Sequence, residues 1–188
     1  MKNAQINELQ KWLETTNWNV FGTLKSISGE DIPLPIAKKN ARLFFNNLDK
    51  LYLGSNLVSK GNRIERMVFL HQGISGQNTH FHFLAHTQSN VELFCENARC
   101  LWHKTNELNS PVLQTVIEPI ISIPRATTYC LHEFNRLGAD TLALDMCHQA
   151  SSTPKVRPIH KFRRLLRQHD ENQKIIERAL FNGAVRGT

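Results

Sequence analysis

Arg66-Met67-Val68-Phe69-Leu70-His71 and, beyond the turn-rich stretch Gln72 to Thr79, His80-Phe81-His82-Phe83-Leu84-Ala85 decide how this sequence folds. Each run is short, apolar and aromatic, and turn-forming residues separate them, which predicts two antiparallel strands joined as a hairpin. Upstream, Trp18 to Leu24 alternates as a further strand, and residues 3–15 carry Ile6, Leu9, Trp12 and Leu13 at helical spacing. Gly29, Pro33 and Pro35 make Ser26 to Pro35 a loop. A helix follows from Ile36 to Leu51, with Ala37, Ala41, Phe44, Phe45, Leu48 and Leu51 on one face, and Gly54 to Gly61 is polar and turn-rich. Downstream, Val91 to His103 reads as a helix and Val112 to Ile123 as a β-branched strand. Pro124 opens a helix running to about Leu137, with Gly138 as its cap. Helix, strand, helix, strand, strand, helix, strand, helix is the order of an α+β fold, an antiparallel sheet flanked by helices.

The chain has 188 residues, enough for one domain with its own core and a short appendage. The character changes at Ser151, so residues 1–150 form the domain and 151–188 a linker followed by a basic C-terminal helix. Hydrophobic residues make up 40% and charged residues 21%, the balance of a water-soluble domain. The formal net charge of +7 predicts a polyanionic partner. A membrane is not expected as that partner, because no apolar run approaches the ~20 residues a spanning helix needs. The N-terminal residues carry no apolar core of a secretory signal, and Cys95, Cys100, Cys130 and Cys147 are expected to be free thiols of a reducing compartment.

Strand side chains alternate faces, so His80 and His82 point the same way and can chelate one divalent ion through neutral imidazoles. A His-x-His pair is a weak motif by itself. His71, at the end of the preceding strand, supplies a third ligand if the strands pair; His86 has the right parity but lies further along the same strand. Cys95, Cys100 and His103 invite a zinc reading, but the helix expected there puts the two thiols on different faces and no fourth ligand is evident, so buried thiols are the expectation. Tyr52 is expected to be a core aromatic near a helix end.

His80-Phe81-His82 resembles the His-hydrophobe-His motif of the HUH endonuclease superfamily, which includes rolling-circle replication initiators, relaxases and single-tyrosine transposases. Phe21-Gly22-Thr23-Leu24 is similar to the first motif of the replication initiators, Phe69 through His82 to the second, and Tyr129-Cys130-Leu131-His132 to the third, Tyr-x-x-Lys on a helix. Two positions depart from the pattern: His132 stands where the family usually has Lys, and His71 where many initiators have Glu. No GxxxxGK[ST] motif of an appended helicase occurs.

The resemblance implies a domain of the initiator kind, with Mg²⁺ or Mn²⁺ on His71, His80 and His82 and Tyr129 as nucleophile. Tyr129 would attack a phosphodiester of single-stranded DNA, from an origin or a hairpin, forming a 5′-phosphotyrosine and freeing a 3′-OH; His132 would contact phosphate or move a proton. A tyrosine hydroxyl has an unperturbed pKa of about 10, so attack at neutral pH needs such help. Lys25, Arg63 and Arg66, near the active-site strands, and the run Lys161, Arg163, Arg164 and Arg167 are candidates for holding the DNA backbone, with Lys38, Lys39 and Arg42 as a further basic face. Glu133 reads as a solvated charge. A host helicase and polymerase would be further partners, and the setting a bacterial cytoplasm or a host nucleus. The alternatives are a single-tyrosine transposase, a non-catalytic DNA-binding module on the same fold, and a hydrolase of small phosphoesters.

Overall fold

A computed structural model describes residues 2–25, 32–76, 78–105 and 115–149. Strands β1 (Val20–Lys25), β2 (Arg66–His71), β3 (His80–Ala85) and β4 (Val116–Pro119) form one antiparallel sheet in the order β2-β3-β1-β4. The helices are α1 (Lys2–Thr15), α2 (Leu34–Leu53), the short α3 (Ser55–Ser59), α4 (Val91–Thr105), α5 (Ile123–Leu131) and the short α6 (Phe134–Leu137). The α+β class and the expected order of elements are therefore observed, with α3 and α6 added.

Alternation along the strands divides the core into two layers. Val20, Leu24, Val68, Leu70, Phe81 and Phe83 face Phe44, Phe45 and Leu48 of α2 and Phe94, Ala98 and Trp102 of α4. On the opposite face Met67, Phe69 and Leu84 pack against Leu13 of α1 and Cys130 and Leu131 of α5. Gly22 lies opposite Phe83 in the β1–β3 register, and a Cβ there would overlap the Phe83 ring. Glycine in this strand thus makes room for an aromatic that bridges to Phe44 and Phe45. Among the described residues no helix is long and apolar enough to cross a membrane.

The structure differs from the sequence expectations in several places. Of the strand expected over Val112 to Ile123, residues 112–114 lie outside the described residues, β4 covers Val116–Pro119, and the C-terminal end gives way to α5, whose first turn Ser122 caps by accepting a hydrogen bond from the Arg125 amide. The helix expected to reach Leu137 stops at Leu131, resumes as α6, and is then capped by Gly138 at φ 62°. Residues 151–188, with the linker and Lys161, Arg163, Arg164 and Arg167, lie outside the described residues.

Arg66 is corrected from a DNA contact to a core residue. Its guanidinium donates to both carboxylate oxygens of the fully buried Asp49 (2.7 and 3.0 Å) and to the carbonyls of Met146 and Ile64, and it lies over the Phe45 ring. Arg63 is likewise committed to structure, donating to the carbonyls of Val58 and Asn62 with its Nε 3.5 Å from Asp49. Lys38, Lys39 and Arg42 sit on α2, across the sheet from the histidines, and Arg42 pairs with Asp145. A buried carboxylate or guanidinium left without its partner is costly, so Arg66→Ala should lower unfolding free energy by about 3–5 kcal/mol. Urea denaturation measures this, and an Asp49→Ala/Arg66→Ala double variant should lose much less than the sum of the single losses.

Candidate metal centre

The β2–β3 register sets His71 directly opposite His80, with Phe69 opposite His82 and Thr23 of β1 on the other side of His82. All these side chains share the sheet face covered by α5. The ring centroids of His71, His80 and His82 are 4.4 to 5.4 Å apart, and one ligand atom from each lies within 4.8 Å of the others. The three histidines therefore form a group that can hold a metal ion. His86, the rival third ligand, instead hydrogen-bonds the Asn17 carbonyl and belongs to no such group among the described residues.

Each imidazole is oriented by a partner on its outer nitrogen. His80 Nδ1–H donates to the Asn78 carbonyl (2.6 Å), and His71 Nε2–H donates to the Cys130 carbonyl (2.9 Å). His82 Nδ1 lies 2.9 Å from the Thr23 hydroxyl, while its Nε2 is 3.1 Å from Nε2 of His80. An outer hydrogen bond of this kind fixes the tautomer and aims the other nitrogen inward. Two inner nitrogens are lone pairs on this assignment. The third is shared: without a cation, His82 Nε2–H donates to His80 and the Thr23 hydroxyl donates to Nδ1. With one bound, the proton would sit on Nδ1 and the Thr23 hydroxyl would accept it, a reversal that a hydroxyl permits and a carbonyl would not. His71 Nδ1 is buried without a hydrogen-bond partner, so its lone pair is available to a cation.

Burial keeps these rings neutral. Desolvation is the largest cause in each case: His71 is pushed down to about 4 and His82 to about 2, the latter helped by the neighbouring His71 and His80. His80 is lowered as well, first by desolvation and in small part by the Lys25 charge. Neutral imidazoles are the ligating form, and a triad without a carboxylate leaves the cation's full charge to face an anion.

Tyr129 reaches the same place from α5. Its ring is 4.8 Å from His82 and 5.9 Å from Phe21, and it is 52% exposed. Tyr52 is instead fully buried, accepts from Asn97 Nδ2 and is pushed up to about 12, chiefly by desolvation, as a core aromatic should be. His132 Nδ1–H donates to the Tyr129 carbonyl (2.7 Å), and its ring is 4.4 Å from His71. Lys25 is next to His80 in the β1–β3 register. The interruption of α5 is what frees the Cys130 and Tyr129 carbonyls, since the last carbonyls of a helix have no intrahelical amide.

Several site residues were not found from sequence. Thr23 was read only as a letter of a strand motif, although its parity with Phe21 already put it on the histidine face. Arg125 is exposed one turn before Tyr129, on the same side of α5, a spacing the sequence did contain. Glu133 is 6% exposed rather than solvated. Cys95 and Cys100 are buried free thiols and form no metal group with His103 among the described residues. Comparison with protein-family models, curated proteins and solved structures returned no match.

Two outcomes follow from this geometry. Well above pH 6.5 folded and unfolded chains both hold the histidines neutral; as pH falls through that value the unfolded chain binds protons that the folded cluster refuses. Stability should therefore be full above pH 6.5 and fall as pH drops towards about 4, the His71 value, with a shallower fall in His71→Gln. Thermal melting across that range checks it. Thr23→Val should weaken Mn²⁺ binding by about 10-fold or more, read by calorimetry, because the outer partner of His82 is lost.

Proposed function

We propose that this chain is a metal-dependent enzyme that nicks and rejoins single-stranded DNA, on a domain of the HUH endonuclease kind and in the manner of a rolling-circle initiator. The observation that carries the reading is Tyr129, half-exposed, with its ring 4.8 Å from a ligand of the candidate metal group. A small-phosphoester hydrolase would have no use for a tyrosine there. Of the two cations the resemblance implies, Mn²⁺ suits three imidazoles better than Mg²⁺, a hard ion that prefers oxygen.

A bound cation would polarise the scissile phosphate and offset charge in the transition state. The chain's own residues do the rest. The Tyr129 oxygen attacks phosphorus, the bond from phosphorus to the 3′-oxygen breaks, and the DNA 5′-phosphate stays on the tyrosine. The hydroxyl proton passes to Nε2 of His132, the nitrogen left after Nδ1–H is committed to the Tyr129 carbonyl, and from there to the departing 3′-oxygen. Attack of a 3′-OH on the phosphotyrosine reverses these steps and restores Tyr129. Arg125 and Lys25 hold the strand by its phosphates, a salt-sensitive contribution.

Incubation of the protein with a randomised single-stranded library and Mn²⁺ should yield a covalent adduct. Tyr129→Phe should form none while binding the same strands with unchanged affinity. Arg125→Ala should retain the adduct but reduce the slope of log affinity against log salt by about 0.7, the value for one phosphate contact on a single strand. No adduct from the wild type on any strand would leave a DNA-binding module in place of the enzyme.

A further inference from the structure

A second group, His71, His132 and Glu133, also brings its ligand atoms within 4.8 Å of one another, but the Glu133 carboxylate already accepts three hydrogen bonds. One oxygen accepts the Gln72 amide (2.9 Å) and the Arg136 guanidinium (2.5 Å); the other accepts the Gly73 amide (2.8 Å). A cation placed on that carboxylate would compete with two backbone amides and sit against the positive charge of Arg136. The amides belong to the turn after β2, so Glu133 fastens that turn to the end of α5. The turn then reaches the metal group in two further bonds: Asn78 N–H donates to the Gln72 carbonyl (2.9 Å), and the Asn78 carbonyl accepts His80 Nδ1–H (2.6 Å). Gly73, at φ 66°, lies so close to Asn78 that a Cβ there would be 3.0 Å from the Asn78 Cβ, so the two residues are packed together.

We infer that Glu133 is a positioning residue for the metal site: by clamping the Gln72 and Gly73 amides it fixes Asn78, and through Asn78 aims Nε2 of His80 at His82. This rests on the metal reading of the triad but not on the DNA chemistry proposed above. Glu133 is not itself a ligand, and the second group holds no ion of its own.

Mn²⁺ titration of the full chain by calorimetry tests this. The wild type should bind one ion, and Glu133→Ala should still bind one, with affinity about 10- to 100-fold weaker, as for loss of other residues that orient ligands. Glu133→Gln, which retains one acceptor oxygen for an amide, should recover part of the loss and serves as the test if the alanine variant does not fold. Arg136→Ala leaves both amide bonds in place and should bind within about threefold of wild type. Folded Glu133→Ala with wild-type affinity overturns the inference. So does a wild-type stoichiometry of two that falls to one in Glu133→Ala, which would make Glu133 a ligand. A wild type that binds no Mn²⁺ overturns the metal reading and the clamp with it, whereas tight binding without any DNA adduct leaves the clamp standing and removes only the nicking function.

Discussion

The hydrogen bond from His71 Nε2–H to the Cys130 carbonyl joins the two halves of the candidate site. One partner is a candidate ligand on a strand; the other is the backbone of the helix that carries Tyr129. The bond does several things together. It fixes the His71 tautomer so that Nδ1 faces His80 and His82, it occupies a carbonyl that the end of α5 leaves without an amide, and it holds the α5 backbone next to Tyr129 against the metal group. It is buried, where an unmade hydrogen bond is expensive, so the helix cannot lift from the sheet without exposing or orphaning both groups. Helix α5 is only nine residues long, too short to persist alone, and its placement comes from this bond and from Cys130 and Leu131 packing beneath it.

What could be read from the sequence followed from periodicity. Two apolar runs around a turn gave the hairpin, and strand alternation placed His80 and His82 on one face; the antiparallel register then put His71 opposite His80. Helix α2 was legible for the same reason. What could not be read depends on contacts between distant segments. Arg66 looks like a surface cation at a strand start, and only Asp49, buried 17 residues earlier on the apolar side of α2, makes it a core residue. The acid's position among Phe45, Leu48 and Tyr52 was the available clue, since a carboxylate on an apolar face needs a partner. The break after Leu131 has no local signal. His132 and Glu133 keep helical backbone angles at the break, and their side chains are held by the Tyr129 carbonyl and by the amides of the β2–β3 turn.

The distribution of charge also changes once the fold is known. Net positive charge suggested a polyanionic partner, yet several of the cations first assigned to it are used inside the protein or lie across the sheet from the histidines. Among the described residues Lys25 stands beside His80 in the strand register, Arg125 is exposed on α5 one turn before Tyr129, and Arg136 is tied to Glu133. The ligand triad is neutral and contains no acid. The described residues therefore supply no dense basic patch at this spot.

The end of α5 sharpens that point. A helix carries a partial negative charge at its C-terminus, and α5 presents this end, through the Cys130 carbonyl, to His71. Phosphates are usually drawn to the opposite end of a helix, where amides point outward. Here the macrodipole favours a cation and disfavours an anion, and the effect is local to the last turn. At its last turn α5 thus sets a preference of sign beside His71, towards positive charge and away from negative.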